Sequence, residues 1–391
     1  MSATIWLDIT GIRPGSDAAV FAAFLGEALR LRGDLPVRLC RRAPGMHALD
    51  WSELDATLGR RPARALRGAA KAWLRRLARR LPDRQRAAIG RFARLQKAAL
   101  YAWRRAAALQ LQAWRSLPPA DKARPVAGDV LLMLQPAGDA ARFAVAGVRL
   151  VFLAADATAL TRPDWMSAED AAAAAIWLRA TLPAVCGVIA CSAATAKVMQ
   201  DAGSLPAPVV IEAAACLGAR RPATAPTCFV LAAGDLGETG RTRQLLLAWR
   251  SLMDRPPPGG VPVLVLAGGV GALVGDVLEQ LRNSRLLEGH VRLLPNPTPD
   301  QLRGLLDTCL FCIAPADAAA GWGRATLDSL AAGCPCLSAF PAAGATPVDA
   351  TSATGLAQAV RAWLARPPPR PRPPARGWAD VAGELVSMLA R

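Results

Sequence analysis

The chain has 391 residues, of which 53% are hydrophobic and 20% are charged, and its formal net charge at pH 7 is +17. This composition excludes an intrinsically disordered chain, which would contain fewer hydrophobic residues. The length exceeds what a single hydrophobic core usually organises, so it predicts two domains.

The sequence shows no recognisable secretory signal. Residues 1–10, MSATIWLDIT, lack a basic start followed by an apolar run and instead favour a first strand. The longest apolar region, residues 171–196, is interrupted by Arg179 and Pro183. A bilayer-spanning helix needs about 20 uninterrupted apolar residues. We therefore expect a cytoplasmic protein, with peripheral attachment to the inner face of the membrane as the alternative.

The first part of the chain alternates strands with helices. Strands are predicted at residues 5–9, 130–134, 149–153 and 188–191, and helices at residues 18–32, at residues 168–182 and from residue 193. Strands that alternate with helices are typical of a parallel sheet covered on both faces.

Positive charge is concentrated between residues 60 and 115, where 17 lysines and arginines accompany a single acidic residue, Asp83. Residues 60–120 are predicted to be helical and inserted into the first domain. Within residues 64–81 the apolar residues, Trp73 among them, recur at helical spacing, and the cations form a separate row. This pattern suits an anionic membrane surface. It suits equally a helical hairpin with a solvated arginine face. Nucleic-acid binding is not favoured, because no known binding module is present.

The second part of the chain repeats the alternation after a proline-rich linker at residues 205–226. Strands are predicted at residues 229–232, 263–267, 291–294 and 310–314, and helices at residues 244–252, 274–282, 299–307 and 325–332. The segment RPPPRPRPPAR at residues 366–376 predicts a stiff spacer. It leads to a final helix at residues 378–389, which we expect to cross to the first domain. Two doubly wound halves of this kind bind nucleotides at the carboxyl ends of their strands, here in a cleft between the domains.

The nine cysteines are predicted to be buried structural thiols. Cys309 and Cys312 form a C-x-x-C motif, but the sequence offers no second pair or histidine cluster with zinc-site spacing. No metal site and no cofactor are therefore expected.

One segment carries a family resemblance. Residues 320–338, AGWGRATLDSLAAGCPCLS, resemble the donor-binding segment E-G-[FW]-G-L-P-x-x-E-[AS]-[ML]-A-x-G-x-P-[VC]-[IL]-[AS] of retaining GT-B glycosyltransferases of the group 1, or family 4, type. Gly321 and Gly323 would let the backbone approach a phosphate, and the following helix would offer it free N–H groups. A carboxylate further along that helix, Asp328, would reach the ribose hydroxyls.

Other segments resemble the same family in the same order. Residues 152–165 are similar to its acceptor-side stretch, residues 187–196 to its G-V-I-C-V-S-x-A-T-A motif, residues 234–249 to its diphosphate loop and residues 263–269 to its LVLVGxxG turn. The resemblance implies an acceptor-side role for Asp156. It implies donor binding by six residues: Gly268, Gly269, Gly321, Trp322, Gly323 and Asp328.

The resemblance also implies an architecture. We expect an α/β protein of GT-B fold, with two Rossmann-like doubly wound lobes, an interlobe cleft and an Arg-rich helical insertion in the first lobe. The acceptor lobe would span residues 1–205 with its insertion at about 60–120, the donor lobe residues 227–370 and the crossover helix residues 377–391.

The chain departs from the family at charged positions. Ala320 stands where the family has the first glutamate of E-x7-E, and Asp328 replaces the second. Ala155 stands where the family has the acceptor-side histidine. Thr239 and Gly240 stand where it has the Arg-Lys pair that clamps the diphosphate. Losing the first carboxylate and the lysine together would cost several kcal/mol of transition-state stabilisation, if nothing replaced them.

Arginines close to the missing clamp are the candidates to replace it. Arg241 and Arg243 lie one and three residues beyond Gly240, and Arg324 lies within the donor segment. A guanidinium group contacts phosphate oxygens in a bidentate manner, which an ammonium group does not. Arg241 and Arg243 are therefore predicted to be the catalytic cations.

Two functions follow from the resemblance and its departures. The first is a hexosyltransferase that moves a sugar from a nucleotide-sugar donor to a glycan or lipid-linked acceptor in bacterial polysaccharide biosynthesis. The second is a catalytically impaired relative that serves as a binding or scaffold subunit.

Overall fold

The computed structural model describes residues 3–12, 16–42, 47–49, 124–137, 139–201, 206–217, 228–270, 275–316 and 321–390. The predicted basic insertion at residues 60–120, with its amphipathic stretch at residues 64–81, lies outside the described residues. The described residues form two lobes, each built on its own β-sheet.

The sheet of the first lobe has seven strands in the order β3-β2-β1-β4-β5-β6-β7. Neighbouring strands are parallel, except that β3 runs antiparallel to β2 at the edge. The strands are β1 (Ile5–Asp8), β2 (Val37–Arg41), β3 (His47–Leu49), β4 (Val130–Met133), β5 (Arg149–Ala154), β6 (Gly187–Ala190) and β7 (Val209–Val210). The last strand lies within the segment predicted to be a linker.

Helices cover both faces of this sheet. They are α1 (Asp17–Arg32), α2 (Ala141–Val145), α3 (Thr158–Thr161), α4 (Ala168–Ala180) and α5 (Ala193–Asp201). Side chains that alternate along a strand enter opposite cores, because successive residues point to opposite faces. Leu7 of β1 lies in one core and Trp6 in the other. Both cores of the lobe therefore depend on the near-continuous apolar strands that parallel sheets require.

The sheet of the second lobe has six strands, all parallel, in the order β10-β9-β8-β11-β12-β13. The strands are β8 (Phe229–Ala233), β9 (Val263–Gly268), β10 (Val291–Pro295), β11 (Cys312–Ala314), β12 (Cys336–Ser338) and β13 (Thr346–Pro347). Around them lie α6 (Thr242–Asp254), α7 (Gly275–Asn283), α8 (Pro299–Thr308), α9 (Arg324–Ala331) and α10 (Ala353–Ala365). The last helix of the chain is α11 (Trp378–Leu389).

Both sheets share one topology. Counted from its own first strand, each contains the order 3-2-1-4-5-6 of a doubly wound nucleotide-binding sheet. The strand order reverses between β1 and β4 in the first lobe, and between β8 and β11 in the second. Ligands of such sheets bind beyond the carboxyl ends of the strands at these reversal points. The predicted α/β class with two doubly wound sheets is confirmed.

The final helix, α11, belongs to the first lobe by its packing. Its residues share a hydrophobic core with α1 and β1. Trp378 stacks on Phe24 with ring centroids 5.8 Å apart and meets Phe21 edge-on at 5.1 Å. At the other end of the helix, Arg149 of β5 donates to the carbonyl of Leu389. The chain thus crosses between the lobes twice.

Burial of the cysteines differs from the prediction in part. Cys186 and Cys228 are exposed, whereas Cys40, Cys191 and the four cysteines of the second lobe's core are buried. Cys186 precedes β6 and Cys228 precedes β8, so each lies just outside the buried run of its strand. Cys216 is only partly buried. The expectation that all the thiols would be buried was therefore wrong for Cys186, Cys228 and Cys216.

Candidate functional site

Two glycine-rich loops meet at the carboxyl end of β8 and β9. A side chain at Gly268 would overlap the carbonyl of Gly234, and one at Gly269 would overlap the carboxylate of Asp235. The N–H of Leu236 donates to the carbonyl of Gly269 over 2.7 Å, which ties the two loops together. Gly268 is thus required for the close approach of two backbones, and Gly269 leaves room for the Asp235 side chain, whereas the sequence had suggested ligand binding alone for both.

Arg241 occupies a special backbone position at the start of α6. It is the N-cap residue and has φ 47° and ψ 34°, in the left-handed region that non-glycine residues rarely adopt. A Cβ at the preceding Gly240 would overlap the carbonyl of Asp235. The tight turn before α6 therefore fixes where the Arg241 side chain leaves the backbone. Arg243, in the first turn of α6, is exposed to solvent.

The side chain of Arg241 reaches the first lobe. Its guanidinium carbon lies 4.6 Å from the centroid of the Trp165 ring, and that of Arg162 lies 3.9 Å from the same centroid. Trp165 is buried, and cation–π contacts strengthen when the ring is shielded from water. Sequence reasoning had found Trp165 only as the last residue of the acceptor-side stretch. Its contact with Arg241 depends on how the two lobes meet.

A carboxylate also lies near Arg241. The pKa of Asp349, which follows β13, is lowered mainly by hydrogen bonds from Thr351 and to a smaller extent by the positive charge of Arg241. Arg241 therefore lies between an aromatic face of the first lobe and a negative charge of the second. It is the only one of the two predicted catalytic cations that the described structure places against the other lobe.

The residues of the donor motif divide into two groups. Gly321 has open space where a side chain would project, and Gly323 has φ 78° and packs so closely on the Phe340 ring that a Cβ would overlap it. Trp322 is 2% exposed and meets the rings of Phe21 and Trp378 edge-on at 5.4 and 5.9 Å. Trp322 therefore belongs to an aromatic cluster that joins the lobes.

Asp328 also makes a contact that bridges the lobes. It is 1% exposed, and its Oδ1 accepts hydrogen bonds from the backbone N–H groups of Cys216 and Leu217, at 2.7 and 2.9 Å. Its Oδ2 lies 3.4 Å from Nε of Arg324, one turn earlier in α9. The carboxylate thus fixes the chain that connects the two lobes. The sequence does not predict this contact, because backbone N–H groups of the linker donate these hydrogen bonds and no residue pattern marks them.

The first lobe contributes charged groups at the carboxyl end of its sheet. Oδ1 of Asp156 accepts from the N–H of Thr158, and burial together with the negative charge of Asp156 raises the pKa of Cys191. At the neighbouring reversal point, the buried Arg42 pairs with Asp8, with Nε and Oδ2 2.6 Å apart. Arg42 and Asp8 carried no motif and were not identified from the sequence.

The described part of the chain contains neither a candidate metal site nor a candidate membrane-spanning helix. Within the described ranges, no group of three or more histidine, cysteine, aspartate or glutamate side chains is placed to hold a metal ion. Across that same part of the chain, no helix combines the length and apolarity needed to span a membrane.

Comparison with known proteins gives matches in structure but not in sequence. No family model matches the chain, and no curated protein sequence matches it. Among solved structures, it is similar to the sucrose-phosphate synthase of Thermosynechococcus elongatus, with a TM-score of 0.55 and 14% identity over 99% of this chain and 94% of that one.

Two further structures are similar over nearly their whole length. The N-terminal domain of Candida albicans trehalose-6-phosphate phosphatase matches with a TM-score of 0.52 and 10% identity, over 100% of this chain and 93% of that one. Anabaena HepE, in a complex with UDP and glucose, matches with a TM-score of 0.51 and 14% identity, over 100% of this chain and 98% of that one. These likenesses, with two doubly wound sheets and a returning C-terminal helix, define the fold as the GT-B fold of glycosyltransferases.

Proposed function

We propose that the protein is a glycosyltransferase that moves a hexosyl unit from a nucleotide-diphosphate sugar to a glycan or lipid-linked acceptor, with retention of anomeric configuration, in bacterial polysaccharide biosynthesis. The GT-B fold supports the general class, and the complex of Anabaena HepE with UDP and glucose supports a nucleotide-sugar donor. The resemblance of residues 320–338 to the donor segment supports retention. No cofactor and no metal ion are part of the proposal.

The observation that carries the proposal is the placement of Arg241. Transfer of a sugar leaves a nucleoside diphosphate, whose developing negative charge must be stabilised by cations fixed in advance. Arg241 starts from a constrained backbone position and its guanidinium group lies against Trp165, so it is fixed before any donor arrives. The glycine-rich loops after β8 and β9 lie at the same end of the sheet. Arg243 would contribute at longer range.

The glycines of the donor motif and the pair Trp322 and Asp328 have different proposed roles. Gly268, Gly269, Gly321 and Gly323 would line the donor site, with the N–H groups at the start of α9 facing phosphate. Trp322 and Asp328 would act on the same site by fixing the segment against the first lobe. Whether Asp328 also receives a ribose hydroxyl is tested by the substitution described in the Discussion.

The acceptor side of the proposal rests on the first lobe. Asp156 lies at the carboxyl end of β5 and would face the acceptor. A lipid-linked acceptor would place the protein on an anionic membrane surface, through residues 64–81. Deleting residues 62–116 should then reduce sedimentation with vesicles of phosphatidylglycerol, most clearly at low salt, because salt screens surface charge. Equal sedimentation of both proteins would remove the membrane from the proposal.

The test of activity compares two neighbouring arginines. Purified protein is screened for binding and hydrolysis of UDP- and GDP-sugars, and the Arg241→Ala and Arg243→Ala variants are assayed with the best donor. We expect Arg241→Ala to lose about 100-fold in turnover, in the range found for removing one fixed donor to a developing anion. The exposed Arg243 serves as the matched control, and its loss should stay within about threefold.

The alternative function has a distinct signature. Asp328 is occupied by the linker, and Ala320 offers no carboxylate, so a binding subunit without turnover is the second candidate. It predicts that UDP or GDP raises the melting temperature of the protein while no nucleotide sugar is turned over. If the protein neither binds a nucleotide nor turns over a nucleotide sugar, both candidate functions are contradicted.

A further inference from the structure

Four cysteines lie together in the core of the second lobe. Cys309 follows the last turn of α8, Cys334 lies in the turn after α9, and Cys312 and Cys336 are paired residues of the parallel strands β11 and β12. All four side chains are buried. The arrangement brings a C-x-x-C motif against a C-x-C motif, of which the sequence analysis had examined only the first.

Cys309 and Cys334 contact each other across two elements, as Cys312 and Cys336 do between the two strands. The sulfur atoms of Cys309 and Cys334 lie 3.4 Å apart, in hydrogen-bond contact. Each sulfur also lies near one backbone carbonyl, that of Leu306 for Cys309 and that of Pro335 for Cys334. A disulfide bond is about 2.0 Å long, so the two sulfurs need to approach by roughly 1.4 Å to bond. Neither Cys309 nor Cys334 belongs to a strand of the sheet.

The thiol pair is covered by the proline-rich segment at residues 366–376. Nη1 of Arg370 lies 3.5 Å from the carbonyl oxygen of Gly333, and a Cβ at Gly333 would contact the carbonyl of Pro371. The positive charge of Arg370 also acts on Cys309, although the hydrogen bond with Cys334 and burial dominate and raise the Cys309 pKa. This covering segment contains no regular helix or strand, so its opening need not disrupt either sheet.

We propose that Cys309 and Cys334 are a redox-active dithiol that hydroperoxides convert to a disulfide when the covering segment opens. The Cys334 sulfur attacks the terminal peroxide oxygen, the O–O bond breaks, and a sulfenic acid and an alcohol, or water from hydrogen peroxide, are formed. The Cys309 sulfur then attacks the Cys334 sulfur, and the hydroxyl group leaves as water with the thiol proton. One peroxide is reduced for each disulfide formed. This inference is independent of the proposed glycosyl transfer.

The disulfide would replace the hydrogen bond between the two thiols with a covalent link. It joins the end of α8 to the turn after α9, the helix that follows the donor motif. A cross-link of this kind lowers the entropy of the unfolded chain. Oxidation should therefore raise the melting temperature of the full-length protein, and dithiothreitol should reverse the rise.

Peptide mapping tests the proposal directly. Exposed thiols, Cys186 and Cys228 among them, are first blocked in the native protein with N-ethylmaleimide. The protein is then treated with hydrogen peroxide, unfolded, alkylated with iodoacetamide and digested with trypsin. Cys309 and Cys312 fall in the tryptic peptide 304–324, and Cys334 and Cys336 in the peptide 325–361. We expect a disulfide-linked pair of these two peptides, with Cys312 and Cys336 alkylated.

Matched variants identify the bond. Cys309→Ala and Cys334→Ala should each abolish the linked pair, whereas Cys312→Ala and Cys336→Ala should each retain it. Two variants are expected to lose the linked pair and two to retain it, so the test still works if one variant of either kind fails to fold. The proposal is overturned if peroxide produces no linked pair in the parent protein, if the bond joins Cys312 to Cys336, or if the linked pair survives in the folded Cys309→Ala variant.

Discussion

The carboxylate of Asp328 should contribute more to folding than to ligand binding. The substitution Asp328→Ala removes an acceptor that holds the N–H groups of Cys216 and Leu217. It also removes the negative partner of Arg324. Each of these three contacts connects α9 either to the linker or to its own first turn. We therefore expect the linker to detach from the second lobe before either sheet unfolds.

The magnitude follows from the two linker contacts. A hydrogen bond to a charged group contributes about 1.5–3 kcal/mol. Two such bonds give roughly 3–6 kcal/mol, which is reduced because Cys216 is only half-buried and its N–H group regains water. Arg324 remains partly exposed and recovers solvation. We expect Asp328→Ala to lower the free energy of unfolding by about 3–4 kcal/mol.

A second buried aspartate provides the control. Asp307 in α8 is 9% exposed, and within the described part of the chain no hydrogen bond reaches its carboxylate. Removing such a carboxylate loses no hydrogen bond and relieves the cost of burying it, so Asp307→Ala should leave the free energy of unfolding unchanged or raise it. Both variants are unfolded in urea and followed by circular dichroism, and UDP and GDP binding is measured by calorimetry under native conditions.

The result that refutes the reasoning is specific. If Asp328→Ala and Asp307→Ala are equally stable, the linker contacts do not hold the lobes. If Asp328→Ala also weakens nucleotide binding by about 1–3 kcal/mol, the ribose contact expected from the family resemblance is present as well. Unchanged nucleotide affinity in a destabilised variant assigns Asp328 to the linker alone.

Three further outcomes are expected. Gly268→Ala should unfold the second lobe or lower expression sharply, because its Cβ would overlap a carbonyl group, whereas Gly321→Ala faces open space and should leave the melting temperature unchanged. Trp378→Ala should cost about 3–5 kcal/mol in urea unfolding, as for other buried tryptophans, and a cost under about 1 kcal/mol would contradict the role of the aromatic cluster. The pairing with Arg376 lowers the pKa of Glu384, so its stabilisation is present above the ordinary glutamate pKa of about 4.3 and is lost as pH falls through the lowered value. Glu384→Gln should therefore melt slightly below the parent at pH 7 and together with it at pH 2.5, and equal melting at both pH values would show that the pair contributes nothing.

Much of the fold was predictable because its signals are local. Strands β1, β4, β8 and β9 are apolar runs buried on both faces, and their predicted limits agree with the structure to within one residue at each end. The helix at residues 378–389 was predicted with the limits that the structure shows. Each of these elements is marked by its own apolar residues and by turn residues directly beside it. Residues close in sequence are therefore enough to identify it.

The missed elements lack such signals. Strand β2 has only two buried residues, Leu39 and Cys40, and contains Arg38 and Arg41, and β12 has only three residues. Strand β7 consists of two exposed valines and lies within the proline-rich segment that was predicted to be a linker. Their pairing depends on neighbours distant in sequence, which no local pattern records.

The candidate site was predictable where backbone freedom was the signal. Gly268, Gly269 and Gly323 were singled out from the sequence, and each lies at a close approach of two chain segments. The partners of Trp322 and Asp328 were not predictable. Both residues contact groups more than 100 positions away, in the first lobe and in the linker.

The two crossings between the lobes lie side by side. Nε1 of Trp378, at the start of α11, donates to the carbonyl of Ala215, and Nε of Arg376 donates to the carbonyl of Glu212. Two lobes joined at well-separated points cannot rotate relative to each other. Two lobes joined along one edge can rotate about that edge. The two adjacent crossings therefore act as a single hinge. A rotation of the lobes about this hinge would change the distance between Arg241 and Trp165 and leave the hydrogen bonds of both crossings in place.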